Sequence, residues 1–135
     1  MTGTLLMSIR MSCVLLVSAL VLGAGTRAGY PATTYLTADE VRATLVGYTL
    51  TGKDWAEFYQ SDGTLHGRLR TFGLNYDGKW KVVDGKVCYE YQDPAQNRCS
   101  RLMRDGDTVR HFTVDGSPKP DGVARRFEGN RTASL

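Results

Sequence analysis

Residues that usually carry chemistry are scarce in this chain. Its 135 residues include three cysteines and two histidines, His66 and His111. A hydrolytic triad needs a histidine beside an activated serine and an orienting carboxylate, and a zinc site needs a clustered set of Cys or His ligands. The chain has no Gly-x-Ser-x-Gly, no His-Glu-x-x-His and no phosphate-binding glycine loop. The sequence therefore predicts a non-enzymatic protein with no catalytic residues, no metal site and no cofactor.

Long apolar runs are also absent, except near the N-terminus. Residues 11–22 are almost wholly apolar, which is shorter than the roughly 20 residues that span a bilayer. Arg10 precedes the run, and the small residues Thr26 and Ala28 follow it. This pattern is typical of a signal peptide over residues 1–28, cleaved after Ala28 or, alternatively, after Ala24. We therefore expect a periplasmic or secreted protein with no stable membrane span after cleavage.

The mature chain has no large excess of either charge. Removal of Arg10 and Arg27 with the signal peptide leaves 15 basic residues against 14 acidic ones. Such a balance does not predict nucleic-acid binding. Arg68 and Arg70 are candidate binding residues, because a guanidinium suits a carboxylate or a phosphate. Alternatively, these arginines are solvated and protect sheet edges.

Only two cysteines, Cys88 and Cys99, belong to the mature region. An exported protein can oxidise them, so the sequence predicts one disulfide. The bridge would join neighbouring strands of a hairpin that closes near Asp93 and Pro94. The spacing is not Cys-x-x-Cys and no histidine is nearby, which disfavours a metal or redox pair.

Asp-Gly dipeptides are abundant. Such pairs favour the tight turns of β-hairpins, because Asp tolerates positive φ and Gly adopts it freely. The sequence therefore predicts turns at residues 62–63, 77–78, 84–85, 105–106, 115–116 and 121–122. The aromatic and β-branched runs between them predict strands at 48–51, 55–60, 64–71, 79–83, 86–92, 99–104, 108–114 and 123–127.

One short helix precedes the strands. Thr37 and Glu40 have the spacing of a capping box, and Gly47 is the predicted end of the helix. The predicted fold is mainly β, with an antiparallel meander of seven to eight strands that forms a small barrel or a strongly twisted half-barrel. Residues 29–128 are predicted to form this single domain, and 129–135 a disordered tail.

Alternation along the strands predicts which side chains share the core. Leu65, Gly67 and Leu69 fall on one face, and His66, Arg68 and Arg70 fall on the other. The shared faces predicted to line one core are those of Trp80 and Val82, of Val87, Tyr89 and Tyr91, and of Phe112 and Val114. We expect His66 to be solvated, and Arg110 to disfavour the charged form of His111.

A set of motifs over about residues 36–116 resembles a family of small secreted bacterial proteins of unknown function. The resemblance implies an exported β-domain and transfers no catalytic residue. The motifs are the capped helix ending in Gly47, Tyr59-Gln60-Ser61-Asp62-Gly63-Thr64 with Gly67, Gly78-Lys79-Trp80, Cys88 with an aromatic neighbour, Cys99, and Asp105-Gly106-Asp107.

Aromatic residues give the remaining indication of function. A barrel mouth lined by Tyr and Arg would suit an amphipathic or sugar-like ligand, and Tyr59 and Tyr91 are candidate binding residues. The predicted function is a binding module for an envelope component or a protein partner, through one open end or through the strand face of Arg68 and Arg70. Two alternatives stay open. One is an inhibitor of an extracellular hydrolase that inserts the tip at 93–98, and the other is an undetected hydrolase that uses His66 or His111.

Overall fold

The computed structural model describes residues 34–115 and 122–135, so the predicted signal peptide lies outside the described residues. Eight antiparallel strands form a closed barrel in which each strand pairs with the next and β8 pairs with β1. The barrel prediction is confirmed. The strands are Tyr48–Thr51 (β1), Trp55–Tyr59 (β2), Thr64–Leu69 (β3), Leu74–Val83 (β4), Lys86–Tyr91 (β5), Arg98–Asp105 (β6), Thr108–Thr113 (β7) and Gly122–Glu128 (β8).

The helix α1, Ala38–Leu45, precedes β1. The Glu40 amide donates to the Thr37 hydroxyl, and the Thr37 amide donates back to the Glu40 carboxylate, so the capping box is confirmed. These hydrogen bonds lower the pKa of the Glu40 carboxyl. Gly47 follows the helix with φ 80°, a conformation that glycine adopts without steric cost.

Helix α1 closes one end of the barrel. Val41 and Leu45 are fully buried in the apolar cluster inside the strands. Arg126 on β8 donates to the last carbonyls of the helix, Thr44 O at 2.8 Å and Ala43 O at 3.0 Å. Cationic donors suit this position because the C-terminus of a helix carries partial negative charge. Within the described ranges no helix is both long and apolar enough to span a membrane.

The barrel interior has two levels. The level next to α1 is apolar, and the other is rich in tyrosine and opens at the opposite end. Since turns alternate between the ends of an up-and-down barrel, the β1–β2, β3–β4 and β5–β6 connections surround the open end. The apolar level contains Val41, Leu45, Leu50, Leu65, Trp80, Val87, Leu102, Val109 and Ala124.

The predicted turn at residues 77–78 is wrong. Asp77 and Gly78 lie inside β4, which begins at Leu74, and the chain turns earlier, at Gly73 with φ 63°. Gly78 is a glycine because a Cβ there would lie 3.0 Å from the Glu90 carbonyl and 3.1 Å from the Tyr91 ring.

The remaining turn predictions have mixed outcomes. Asp84 and Gly85 both have positive φ, as a type I′ turn requires. At the next hairpin Asp105 pairs with Thr108, so the central residues are Gly106 and Asp107 rather than the predicted pair. The predicted turns at 115–116 and 121–122 extend outside the described residues.

The predicted disulfide is confirmed. Cys88 on β5 and Cys99 on β6 lie directly opposite each other and are bonded. The hairpin between them turns through a single 3₁₀ segment, Pro94–Gln96.

The prediction that Phe112 and Val114 face the core is wrong, and Val114 is 51 % exposed. Strand alternation places His111, not Phe112, inside the barrel, since His111 pairs with the buried Leu102. Phe112 is buried on the outer surface, where its ring lies edge-on to Tyr35 at 5.5 Å between centroids.

Residues 129–135, predicted to be disordered, begin with a bound segment. The Thr49 hydroxyl donates to Gly129 O and accepts from the Arg131 amide, and the Gly129 amide donates to Gly47 O. These bonds satisfy backbone groups beside β1.

Candidate functional site

The open end of the barrel leads into a cavity of about 400 Å³. This volume lies within the range of small-molecule sites. The cavity has an apolar side formed by Trp55, Leu69 and Leu74, and a polar side near the β5–β6 connection. The complete lining is Trp55, Glu57, Leu69, Leu74, Asn75, Tyr76, Asp77, Tyr91, Gln92, Asp93, Gln96 and Arg98.

Glu57 is the acidic residue of the barrel interior. It pairs with Leu50 and Gly67 across β1 and β3, and only 5 % of its surface is exposed. Its Oε1 accepts from the hydroxyls of Tyr76 and Tyr91, each at 2.8 Å, and its Oε2 accepts from that of Tyr59 at 2.5 Å. Hydrogen bonds to a charged acceptor are the stronger kind, so this cluster joins β2, β4 and β5.

The interior tyrosines resist ionisation. Burial, followed by the charge of Glu57, raises the pKa of Tyr59, Tyr76, Tyr89 and Tyr91 above the ordinary value of 10. Each phenol is therefore a hydrogen-bond donor at neutral pH.

Three glycines make room for three aromatic rings of the cavity wall. A Cβ on Gly52 would lie 2.2 Å from the Trp55 indole, and a Cβ on Gly67 would lie 2.1 Å from the Tyr76 ring. Gly78 has the same relation to Tyr91, although its nearest ring atom is farther, at 3.1 Å. At Gly52 and Gly67 the rings occupy space that a side chain would need, and at Gly78 the approach is close.

His111 lies beside this cluster and faces the interior. Its ring centroid is 6.4 Å from that of Tyr89 and 6.4 Å from that of Trp55. Burial lowers the pKa of His111 to about 4, with a smaller contribution from the charge of Arg98. The sequence prediction attributed this effect to Arg110. The guanidinium that acts is Arg98, which shares the interior face.

Three buried polar atoms have no hydrogen-bond partner among the described residues. They are the Tyr89 hydroxyl, Nε2 of His111 and, at the β1–β2 connection, Nε of Arg70. The Tyr59 hydroxyl is near that of Tyr89 but donates to Glu57. An unsatisfied buried polar group costs about 1–3 kcal/mol, so these atoms reduce stability.

Arg98 stands at the mouth of the cavity. It pairs with Tyr89 across β5 and β6, and its guanidinium carbon lies 5.8 Å from the centroid of the Tyr89 ring. In the part of the chain that the structure describes, its guanidinium makes no ion pair or hydrogen bond.

The structure separates the four candidate binding residues into two sets. Tyr59 and Tyr91 meet at Glu57, and Tyr91 also lines the cavity. Arg68 instead donates to Asn75 Oδ1 at 3.3 Å on the outer face of β3. Arg70 donates to the carbonyls of Gly52 and Lys53, so it holds the β1–β2 connection rather than a free patch.

His66 lies on the outer face. Its Nδ1 contacts the Asp77 carboxylate, and its Nε2 is 3.0 Å from Gln60 Oε1. Neither His66 nor His111 has a serine partner among residues 34–115 and 122–135. Over the same ranges, no three His, Cys, Asp or Glu side chains lie close enough together to hold a metal ion.

Comparisons with known proteins do not supply a relative. A scan of protein-family models, a search of curated proteins and a search of solved structures each found no match to this chain. The resemblance to small secreted bacterial proteins therefore stays a prediction, and function is argued from the cavity.

Sequence reasoning missed the centre of the site. It selected Tyr59 and Tyr91 but not Glu57, Tyr76 or Arg98. One signal was available in the sequence. On the predicted strand, Glu57 lies on the same face as Trp55 and Tyr59, which is the face that points into the barrel. A carboxylate at a core position indicates hydrogen-bonded partners.

Proposed function

We propose that this protein is a non-enzymatic binding barrel that takes an amphipathic small molecule of the cell envelope into its open end. Helix α1 packs its buried side chains into the other end of the barrel, opposite the cavity. The observation that supports this proposal most directly is the composition of the cavity wall. Apolar Trp55, Leu69 and Leu74 face a polar side that includes Gln92 and Arg98. Such a wall fits a molecule with one apolar and one polar part.

The rim supports an amphipathic ligand. Phe72 is 73 % exposed on the turn between Leu69 and Leu74, both of which line the cavity. Exposed apolar side chains next to a cavity favour contact with apolar ligands. The signal peptide predicted over residues 1–28 and the Cys88–Cys99 disulfide support export to the periplasm or beyond.

Intrinsic fluorescence tests the proposal, because the chain has two tryptophans and only Trp55 lines the cavity. Trp80→Phe leaves Trp55 as the single reporter. Titration with octanol and with octanoate should change its emission saturably for at least one of them.

A pair of variants locates the binding. Leu69 and Val83 are both partly exposed apolar residues, at 36 % and 41 %, but only Leu69 lines the cavity. Leu69→Arg should weaken the binding of octanol, and Val83→Arg should leave it unchanged. The proposal would be contradicted if neither amphiphile bound saturably. It would also be contradicted if both variants weakened octanol binding equally.

A further inference from the structure

The charged groups around the cavity differ in whether they already have partners. Glu57 accepts from three phenols. Asp77 contacts His66, and Asp93 accepts from the Ala95 amide at 3.0 Å. Arg98 is the one cation in the lining, and no described residue forms an ion pair or hydrogen bond with its guanidinium. Arg98 is therefore the one charged side chain of the lining whose charged group has no hydrogen bond or ion pair to a described residue.

Arg98 is well placed to receive an anionic group. It is the first residue of β6 and is adjacent to Cys99, whose disulfide fixes the β5–β6 pair. Its guanidinium also lies over the Tyr89 ring. A guanidinium presents paired N–H donors that match the two oxygens of a carboxylate.

We propose that Arg98 binds the carboxylate of an amphipathic monocarboxylate, whose apolar part lies along Leu69, Leu74 and Trp55. This inference rests on the proposed function and specifies its ligand class. The lining also contains Glu57, Asp77 and Asp93, so a cationic ligand is the competing outcome that the test includes. The ligand gains a charge-assisted bond at the mouth and apolar contacts along the wall.

The test compares probes that differ mainly in their polar group. Octanoate, octanol and octylamine are titrated into the mature domain, with acetate as a probe that has no apolar chain. Octanoate should bind about tenfold or more tightly than octanol, since a hydrogen bond to a charged group contributes on this scale. Acetate should bind far more weakly than octanoate.

Arg98→Gln should remove the preference for octanoate over octanol while leaving the affinity for octanol nearly unchanged. Arg98→Lys should restore part of the preference, because a lysine keeps the charge but not the paired donors. Arg101→Gln is the matched control. It removes the same charge from the same strand, but Arg101 lies over Tyr35 on the outer surface.

The outcomes separate this inference from the proposed function. Three outcomes would overturn the role of Arg98 but leave the proposed binding barrel. They are equal affinities for octanoate and octanol, a preference for octanoate that persists in Arg98→Gln, and tightest binding by octylamine. Acetate binding as tightly as octanoate would overturn the amphipathic ligand. No binding of any probe would count against the proposed function itself. Circular dichroism of Arg98→Gln should match that of the unsubstituted protein, since Arg98 is exposed and its guanidinium makes no hydrogen bond to a described residue.

Discussion

Gly67 and Tyr76 face each other across β3 and β4, and the ring of Tyr76 lies where a side chain at position 67 would be. The missing Cβ lets the ring extend over β3, and the Tyr76 hydroxyl reaches Glu57 on the next strand. A glycine in the middle of a strand usually weakens it. Here it permits a hydrogen bond that connects non-adjacent strands.

Gly67→Ala should therefore destabilise the protein by about 1–3 kcal/mol, the usual cost of overpacking. The measurement is the free energy of unfolding in urea. Gly122→Ala is the control, because a Cβ at that position meets nothing within 4 Å. The cost should largely disappear in a Tyr76→Ala background, where the obstructing ring is gone. An equal cost in both backgrounds would contradict the role assigned to the ring.

The same relationship explains how much the sequence could predict. Strand positions follow from local alternation, and the predicted strands match the eight observed ones to within a few residues, except that β4 begins five residues earlier. The turn prediction failed at Asp77 and Gly78 because an Asp-Gly pair can serve either a turn or a close approach of another ring. Local sequence does not distinguish these two uses.

The site was harder to predict for a related reason. The three phenols that bind Glu57 lie 2, 19 and 34 residues away from it along the chain. Only the register of four strands brings them together, and a shift of one residue would reverse every side chain. Arginine candidates chosen for their proximity in sequence, Arg68 and Arg70, lie outside the cavity for the same reason.

His111 should make stability depend on pH below neutrality. Its pKa is about 4 in the folded protein and 6.5 ordinarily, so between these values the unfolded chain binds a proton that the native protein does not. Stability therefore falls as pH decreases through this window, by about 3 kcal/mol in total.

The measurement is the free energy of unfolding at intervals from neutral pH down to pH near 4. His111→Gln should flatten the curve between these limits, whatever its effect at neutral pH. His66→Gln, on the outer face, should keep the slope of the unsubstituted protein. A slope unaffected by His111→Gln would contradict the assignment.

The interior tyrosines should make alkaline unfolding cooperative. Their folded pKa values are raised above 10, so unfolded chains lose these protons first and stability falls as pH rises above about 10. Fully buried Tyr59 and Tyr89 each contribute a slope of about 1.4 kcal/mol per pH unit. Tyr76 and Tyr91 act in the same direction with smaller effects because they are partly exposed.

Spectrophotometric titration measures the ionisation of the phenols, and circular dichroism recorded in parallel measures the loss of native structure. The four interior phenols should ionise together with the loss of native structure. Their stepwise ionisation near pH 10 with native dichroism retained would show that the cluster is open to solvent.

Arg126 should determine whether α1 stays docked on the barrel. It donates to two helix carbonyls, and its guanidinium lies 3.2 Å from the centroid of the Tyr48 ring. A lysine keeps the charge but cannot reproduce the paired donors or the flat contact with a ring. Arg126→Lys should therefore cost about 2 kcal/mol, on the scale of hydrogen bonds that involve a charged group.

Hydrogen exchange of the backbone amides identifies which elements lose stability in Arg126→Lys. In Arg126→Lys the amides of α1 should lose protection more than those of β3 to β5, because the strands keep their own hydrogen bonds when the helix detaches. The exposed neighbour Arg125→Lys should change neither the unfolding free energy nor the exchange. Equal loss of protection in the helix and in the strands would mean that α1 and the barrel unfold as one unit. In that case the Arg126 bonds would stabilise the whole domain, and the closed end of the cavity could not open separately.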